Sequence, residues 1–391
     1  MTEIEKLLIG IDEVVPEKEF EEKVRSQKTL RVKLGVDPTG ADLHIGHMVP
    51  FRKMREFQDQ GHTGVVIIGD YTACIGDPTG RDKTRPPLSR EQVRDNAATY
   101  LDQIYKVLDP DRTEVRHQSE WFDSMKFADV IRLVSSVTLA QIMAHETFRT
   151  RYENGQGLCF HEMMYPVFQA YDSLMINADI ELGGTDQKFN ILLGRDLQKQ
   201  NGTASQAAIL LPLLPGVDGQ KMGKSLDNYI GVNEAPGDMF GKIMSIRDEL
   251  IETYAALCVA FDVYEEIARD VADGKNPRDI KERLGREIVR IYHGEDAAEE
   301  AAAAFRQVFS NRELPEDIPE VLLTEKDLPL LDLVMACDHA PSRKEARRLI
   351  QQGGVRIDGE KQKDFGERIL LRNGLVVKTG KRRFAKIVTA E

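Results

Sequence analysis

The chain has 391 residues, enough for two or three domains that each bury a core, and its 41% hydrophobic and 30% charged fractions are those of an ordinary globular protein. A net charge of -12 argues against nucleic acid as a partner of the chain as a whole. The charge is uneven, however: Pro329 to Glu391 holds 14 Lys+Arg against 8 Asp+Glu, while the preceding 328 residues hold 39 against 57. An acidic body with a basic tail is the pattern expected of an enzyme that carries an RNA-binding appendage.

Cys74, Cys159, Cys258 and Cys337 lie roughly 80 to 100 residues apart. They fit neither a disulfide framework nor a zinc knuckle, so a reducing cytoplasm is expected. The first ten residues carry three charges and no long apolar core, unlike a signal peptide. No window approaches the roughly 18 to 20 apolar residues that span a bilayer.

In chain order, residues 3–27 predict a charged amphipathic helical lead-in. Leu30 to Val36 alternates apolar and polar as a strand does, and helical spacing returns through Met48, Phe51, Met54 and Phe57. Val65-Val66-Ile67-Ile68, ending in Gly69-Asp70, has the form of a parallel strand buried on both faces. Strand-like pieces recur at Thr113 to His117, around Ile180 and at Ile209 to Leu214, separated by helical segments. That alternation predicts an α/β domain with a parallel sheet, over 30–230, whose ligands lie outside the carboxyl ends of the strands. From 231 to 310 only helical spacing remains, with Arg283, Arg286 and Arg290 on one face, either solvated or in contact with RNA. Residues 311–328, with Pro315 and Pro319 among acidic groups, predict a linker. In 329–391, Ser342-Arg343-Lys344-Glu345 is a capping-box signature and Gly353 a helix stop, followed by strand signals, so a small α+β unit is expected. Its helix has an apolar face of Ala346, Leu349 and Ile350 and a basic side of Arg343, Lys344, Arg347 and Arg348.

Four segments carry candidate chemistry. In Asp37-Pro38-Thr39-Gly40-Ala41-Asp42-Leu43-His44-Ile45-Gly46-His47, two histidines three apart share the first turn of a helix. Gly46 leaves room for a flat ligand, and the positive end of the helix suits an anion. Imidazole donors there would suit a phosphate whose charge grows during reaction, though two neighbouring histidines are often unremarkable. Gly76-Asp77-Pro78-Thr79-Gly80-Arg81, with Lys83 and Arg85 behind it, is either a surface turn or an ammonium-binding aspartate followed by a phosphate-binding loop; it lacks a Walker-type Gly-Lys-Ser/Thr. Tyr165, Gln169 and Asp172 share one helical face before Gly183-Gly184-Thr185-Asp186-Gln187; if buried, they form a polar pocket for a polar ligand. Lys221-Met222-Gly223-Lys224-Ser225 follows a glycine-studded stretch and could clamp a polyphosphate or serve solubility alone.

Together these motifs resemble a known family. His44-Ile45-Gly46-His47 and Lys221-Met222-Gly223-Lys224-Ser225 look like the two signatures of class I aminoacyl-tRNA synthetases. The other segments, in the same order, are similar to bacterial tyrosyl-tRNA synthetases, and the basic tail to their S4 RNA-binding domain. The resemblance implies a Rossmann-like parallel-sheet catalytic domain, a helical tRNA/anticodon-side domain and a C-terminal S4-like domain. It implies activation of tyrosine by ATP, transfer to the terminal adenosine of tRNA(Tyr), a cytoplasmic homodimer, Mg2+ with the ATP, and no structural metal. By the same resemblance His44 and His47 meet the phosphates without a metal. Asp37, Thr39, Gly46, Asp186 and Lys224 bind ATP, while Lys221, Lys224, Ser225, Arg81 and Arg85 hold pyrophosphate. Asp77, Tyr165, Gln169 and Gln187 bind tyrosine, with Asp172 on its phenol; Arg343, Lys344, Arg347 and Arg348 meet tRNA.

Two departures stand out. Many members have a tyrosine four residues before the Asp-Pro-Thr aspartate, where this chain has Lys33, so the second phenol contact is open. Gly223 replaces the serine of the usual lysine loop and should loosen it without removing either charge. Rival readings are a tryptophanyl enzyme, a nucleotidyltransferase with a similar His-x-Gly-His turn, and an RNA-binding protein that has lost activity. The basic tail, the Tyr165/Gln169/Asp172 face and the intact histidines and lysines weigh against them.

Overall fold

In the computed structural model, which describes residues 2–26, 28–40, 42–79, 88–223, 226–310, 318–380 and 383–389, the expected strands belong to one sheet. Its strands β1 (Glu13–Val15), β2 (Arg31–Val36), β3 (Thr63–Ile68), β4 (Thr113–His117), β5 (Ile180–Gly184) and β6 (Ala207–Leu211) lie in the order β1-β6-β5-β2-β3-β4. β2 to β6 run parallel and β1 closes one edge antiparallel. Val65 to Ile68 have no exposed surface, because apolar clusters cover β3 on both faces. The chain steps from β2 outward to β4 and then returns to the other side of β2 for β5 and β6. The strand order therefore reverses between β2 and β5, where an α/β sheet opens a crevice at its carboxyl edge.

The N-terminal lead-in is not one helix. Glu3–Leu7 and Glu17–Arg25 are helical and β1 lies between them. Gly10, at φ 71°, and Pro16 break the helical run. Leu7 and Phe20 are buried in the main core, so the lead-in is part of this unit rather than an appendage.

The helices Pro236–Met244, Ile251–Cys258, Phe261–Ala272, Pro277–His293 and Glu295–Ser310 follow without strands, as expected. Met239, Phe240, Ile243, Leu284 and Ile288 join the same apolar cluster as β2, β6 and the helix Ile45–Asp59. No break in packing falls at residue 230, and Met1–Phe305 forms one compact unit. Arg283, Arg286 and Arg290 of the long helix are ion-paired: Arg283 with Glu266 and Asp270, Arg286 with Glu282 and Glu299, Arg290 with Glu287. Their charge is balanced locally, which favours the solvated-face reading.

The second unit, Arg306–Glu391, corrects the linker assignment. Residues 311–317 lie outside the described residues, but β7 (Glu320–Leu323) and β8 (Asp327–Pro329) are strands of this unit. With β9 (Val355–Ile357), β10 (Glu360–Gln362), β11 (Arg368–Leu370), β12 (Val376–Thr379) and β13 (Arg383–Thr389), they build a sheet of order β10-β9-β12-β13-β7 and a pair β11-β8. Val321, Leu323 and Leu328 pack on its core. Their short alternation is masked in the sequence by neighbouring acids and prolines. The helices Leu330–Ala336 and Arg343–Gln351 complete the unit. Ser342 caps the second by accepting from the Glu345 amide at 3.3 Å, and Gly353 follows its end at φ 68°.

Lys53, on the helix Ile45–Asp59, ties the lead-in to the core. Its Nζ donates to Leu7 O at 3.0 Å, Ile9 O at 2.8 Å and Glu56 Oε2 at 2.6 Å, and the side chain is buried. Lys53→Met should leave these acceptors unpaired and lower stability by about 3 kcal/mol, read as a reduced urea midpoint at unchanged slope.

Candidate active site

A cavity of about 720 Å³ opens at the strand reversal. β2 delivers Asp37 and Thr39 to it, and the helix start delivers His44, Gly46 and His47. The loop after Thr72–Ile75 contributes Asp77, the helix Tyr165–Met175 contributes Tyr165, Gln169 and Asp172, and the end of β5 contributes Gly183, Gly184, Asp186 and Gln187. Met222 and Gly223 close one side.

His44 is the residue before the first turn of Ile45–Asp59, and its ring stacks on that of His47 with centroids 3.6 Å apart and planes 19° off parallel. His44 is buried and His47 exposed, so the pair spans from wall to opening. The first amide of the helix is already spent, Ile45 N donating to Ile230 O at 2.9 Å, and the His44 amide donates to His47 Nδ1 at 3.4 Å. A Cβ on Gly46 would come within 3.1 Å of the His44 ring and 3.3 Å of Met222 Sδ. Glycine at this position therefore lets the histidine turn and the lysine loop touch, in addition to sparing room for a ligand.

Tyr165 donates its hydroxyl to Asp37 Oδ2 at 2.9 Å, and Thr72 Oγ1 donates to Asp37 Oδ1 at 2.7 Å. Burial and these carboxylates push the Tyr165 phenol well above its usual range, so it stays a donor. Gln187 Nε2 donates to Asp77 Oδ2 at 2.8 Å, and Thr79 N to Asp77 Oδ1 at 2.9 Å. Asp186 is raised mainly by burial, with nearby Asp77 adding to it and Lys221 opposing.

Asp172 lies at the floor, 2% exposed. Two donors of the protein hold it. Gln118 Nε2 donates to its Oδ2 at 2.8 Å and Trp121 Nε1 to its Oδ1 at 3.1 Å. Two of roughly four lone-pair directions are taken, and the others remain for a ligand donor. Burial pushes the carboxyl up to about 7, against the pull of the Lys33 ammonium and the two donors. Gln118 is held in turn, its Oε1 accepting from the Tyr71 and Thr72 amides at 3.1 and 2.9 Å. Neither Gln118 nor Trp121 was among the sequence candidates. Gln118 directly follows β4 at its carboxyl end, the position that already marks Asp37 after β2, and this was the available signal.

Lys33 does not line the cavity. It is fully buried beneath it, with its Nζ on Glu181, Ser173 and the carbonyl of Gln169. Lys221 has an exposed side chain and does not line the cavity either, though its carbonyl is held by Asn228 Nδ2 at 3.1 Å. Lys224, Ser225, Arg81 and Arg85 lie outside the described residues. In the second unit Arg343, Lys344, Arg347 and Arg348 are all exposed. Arg343 pairs with Asp332 at 2.7 Å, Arg348 with Glu345 at 2.5 Å, and Arg347 lies over the Phe365 ring at 4.5 Å. Among the described residues no cluster of three or more His, Cys, Asp or Glu is placed to hold a metal ion, and no helix is long and apolar enough to cross a membrane.

Comparison with known proteins gives concordant matches. A family model described as tRNA synthetases class I (W and Y) matches residues 25–310, and one described as the tyrosine--tRNA ligase SYY-like C-terminal domain matches 311–387. A tyrosine--tRNA ligase of Moorella thermoacetica is 47% identical over 388 residues, 97% of this chain and 94% of that protein. One of Nitrosospira multiformis is 46% identical over 395 residues, 100% of this chain and 98% of that protein. Among solved structures, a C-terminally truncated mitochondrial tyrosyl-tRNA synthetase of Aspergillus nidulans aligns with a TM-score of 0.65 at 23% identity, covering 78% of this chain and 93% of its own. The tyrosyl-tRNA synthetase of Archaeoglobus fulgidus complexed with L-tyrosine aligns at 0.63 and 23% identity, covering 77% and 100%. At that identity the structures speak for the fold.

Trp121 is the single tryptophan of the chain and donates to Asp172, so its fluorescence should sense that carboxyl. In the free protein the emission should titrate near pH 7, with Asp172 neutral below and ionised above, and Asp172→Asn should abolish the step. An emission flat from pH 5 to 9 in the unmodified chain would contradict this account of the floor.

Proposed function

The chain belongs to the class I tRNA synthetases of the W and Y group, and from that membership we propose that it works as a tyrosine--tRNA ligase. It activates L-tyrosine with ATP to tyrosyl-adenylate and then transfers the tyrosyl group to the 3'-terminal adenosine of tRNA(Tyr). The observation that carries this reading is the sharing of one cavity by the stacked histidines and the Tyr165/Gln169/Asp172 face.

A carboxylate is already ionised at neutral pH, so the attack of tyrosine on the α-phosphate needs no general base. A new oxygen–phosphorus bond forms to the α-phosphorus, its bond to the bridging oxygen breaks, and pyrophosphate leaves with the electron pair. What the protein supplies is alignment and charge stabilisation. His44 and His47 donate to phosphate oxygens from the wall of the cavity. Asp37, Thr39, Gly46, Asp186 and Lys224 hold the nucleotide, and Lys221, Lys224, Ser225, Arg81 and Arg85 hold the departing pyrophosphate. Mg2+ enters with the ATP as part of that substrate. At the amino-acid end Asp77, Tyr165 and Gln169 serve the ammonium, Gln187 also binds the tyrosine, and Asp172 accepts a hydrogen bond from the phenol. Phenylalanine is disfavoured because it buries the prepared acceptor without giving it a donor.

The basic face of Arg343, Lys344, Arg347 and Arg348 fits a polyanion and is the proposed tRNA contact. Two copies form a cytoplasmic homodimer. The exposed apolar side chains Phe127, Ile131, Leu139, Tyr152 and Phe160, all within 127–160, support a covered surface there. The four unpaired cysteines suit a reducing compartment.

ATP–pyrophosphate exchange should depend on tyrosine; exchange with tryptophan, or with neither amino acid, would refute the assignment. His47→Ala should slow adenylate formation by on the order of 10²-fold, and a collapse of tyrosine affinity with unchanged chemistry would remove His47 from the phosphate role. Truncation after residue 310, which takes β7 and β8 away with the unit they belong to, should spare exchange and cripple tRNA charging. Equal loss of both would make the second unit structural.

A further inference from the structure

The arrangement beneath the cavity floor is saturated. Lys33 on β2 and Glu181 on β5 are direct neighbours across the sheet, 0% and 1% exposed. The ammonium of Lys33 spends its three protons on Gln169 O at 2.8 Å, Ser173 Oγ at 2.7 Å and Glu181 Oε1 at 2.9 Å. None is left for a ligand, so Lys33 does not supply the second phenol contact. Glu181 takes four donors: Lys33 and Gln169 Nε2 on Oε1, Ser173 Oγ and Gln206 Nε2 on Oε2.

One of these bonds determines which way a cavity residue faces. Gln169 Nε2 donates to Glu181 Oε1 at 3.1 Å. An ionised carboxylate accepts and cannot donate, so it admits only the NH2 end of the amide. A flipped amide would set its oxygen against the carboxylate, at the full cost of an unpaired buried acceptor. The side-chain oxygen Oε1 of Gln169 is thereby turned away from Glu181, and Gln169 lines the cavity above. A carbonyl oxygen there accepts from a cation and repels an anion.

We infer that Glu181 is a positioning residue that locks Gln169 with its carbonyl toward the substrate ammonium, and that Lys33 is the buried counter-ion that allows Glu181 to remain a pure acceptor. The inference rests on the proposed assignment of Gln169 to the ammonium of tyrosine.

The test compares tyrosine with 3-(4-hydroxyphenyl)propionate, which keeps the phenol and carboxylate and lacks the ammonium. Glu181→Gln preserves shape and lets either end of Gln169 face it; the pair Lys33→Met with Glu181→Gln also removes the stranded ammonium. Both should raise the KM for tyrosine in exchange by about 10-fold. The kcat should stay within about 2-fold of the unmodified enzyme, as should inhibition by the deaminated analogue. Equal weakening of both ligands, no change in either, or loss of the folded state in both variants would overturn the positioning role. Gln169→Ala serves as the reference. If it leaves the ratio of the two ligands unaltered, the ammonium assignment of Gln169 is wrong. If it alters that ratio and the Glu181 variants do not, only the positioning role falls.

Discussion

The ion pair between Lys33 and Glu181 sits where the sheet changes direction. β2 and β5 meet there because the chain runs outward to β4 and then doubles back, and the same meeting opens the crevice above them. A buried pair of charges is costly unless every proton and lone pair has a partner. Here Ser173, Gln169 and Gln206 supply those partners, and two of the three belong to the helix Tyr165–Met175. The floor of the cavity is therefore held to the sheet by directional bonds as well as by apolar contact. Such bonds specify one arrangement where apolar packing alone would tolerate several.

Above that floor the side chains divide by chemistry. Acceptors gather at the proposed amino-acid end: Asp77 and Asp172, each held by at least one donor from the protein. The stacked histidines, the proposed phosphate donors, stand apart from them on the helix start. Such a polarity suits a zwitterion whose ammonium must be caught and whose carboxylate must be left free to attack. It also matches the charge that develops on a phosphate as its bond to the leaving group lengthens. The separation is built before any ligand arrives, so little reorganisation is needed in the reaction.

Much of this was legible in the residues. Val65 to Ile68 and Leu30 to Val36 gave themselves away by apolar runs and alternation, and the histidine turn by its place after a strand. The short edge strands β1 and β7 were not. Three residues of β1 and four of β7 are too short for periodicity to emerge, and acids and prolines around β7 imitate a linker. Buried polar residues have no periodic signature at all. Gln118, Trp121 and Glu181 matter through partners far away in the chain, 54, 51 and 148 residues distant for their bonds to Asp172, Asp172 and Lys33. Lys33 was conspicuous as a departure, yet only its three acceptors reveal that it faces the fold and not the ligand.

The contact at Gly46 couples two segments that a sequence alignment would treat as separate. His44 and Met222 both press on a position with no side chain, so the space there is shared between the histidine turn and the lysine loop. A methyl group gained at 46 requires the His44 ring or the Met222 sulfur to give by a few tenths of an ångström. In mechanical terms the loop carrying Lys221 is hung on the hinge pin of the helix start, and a displacement of one is transmitted to the other by simple contact.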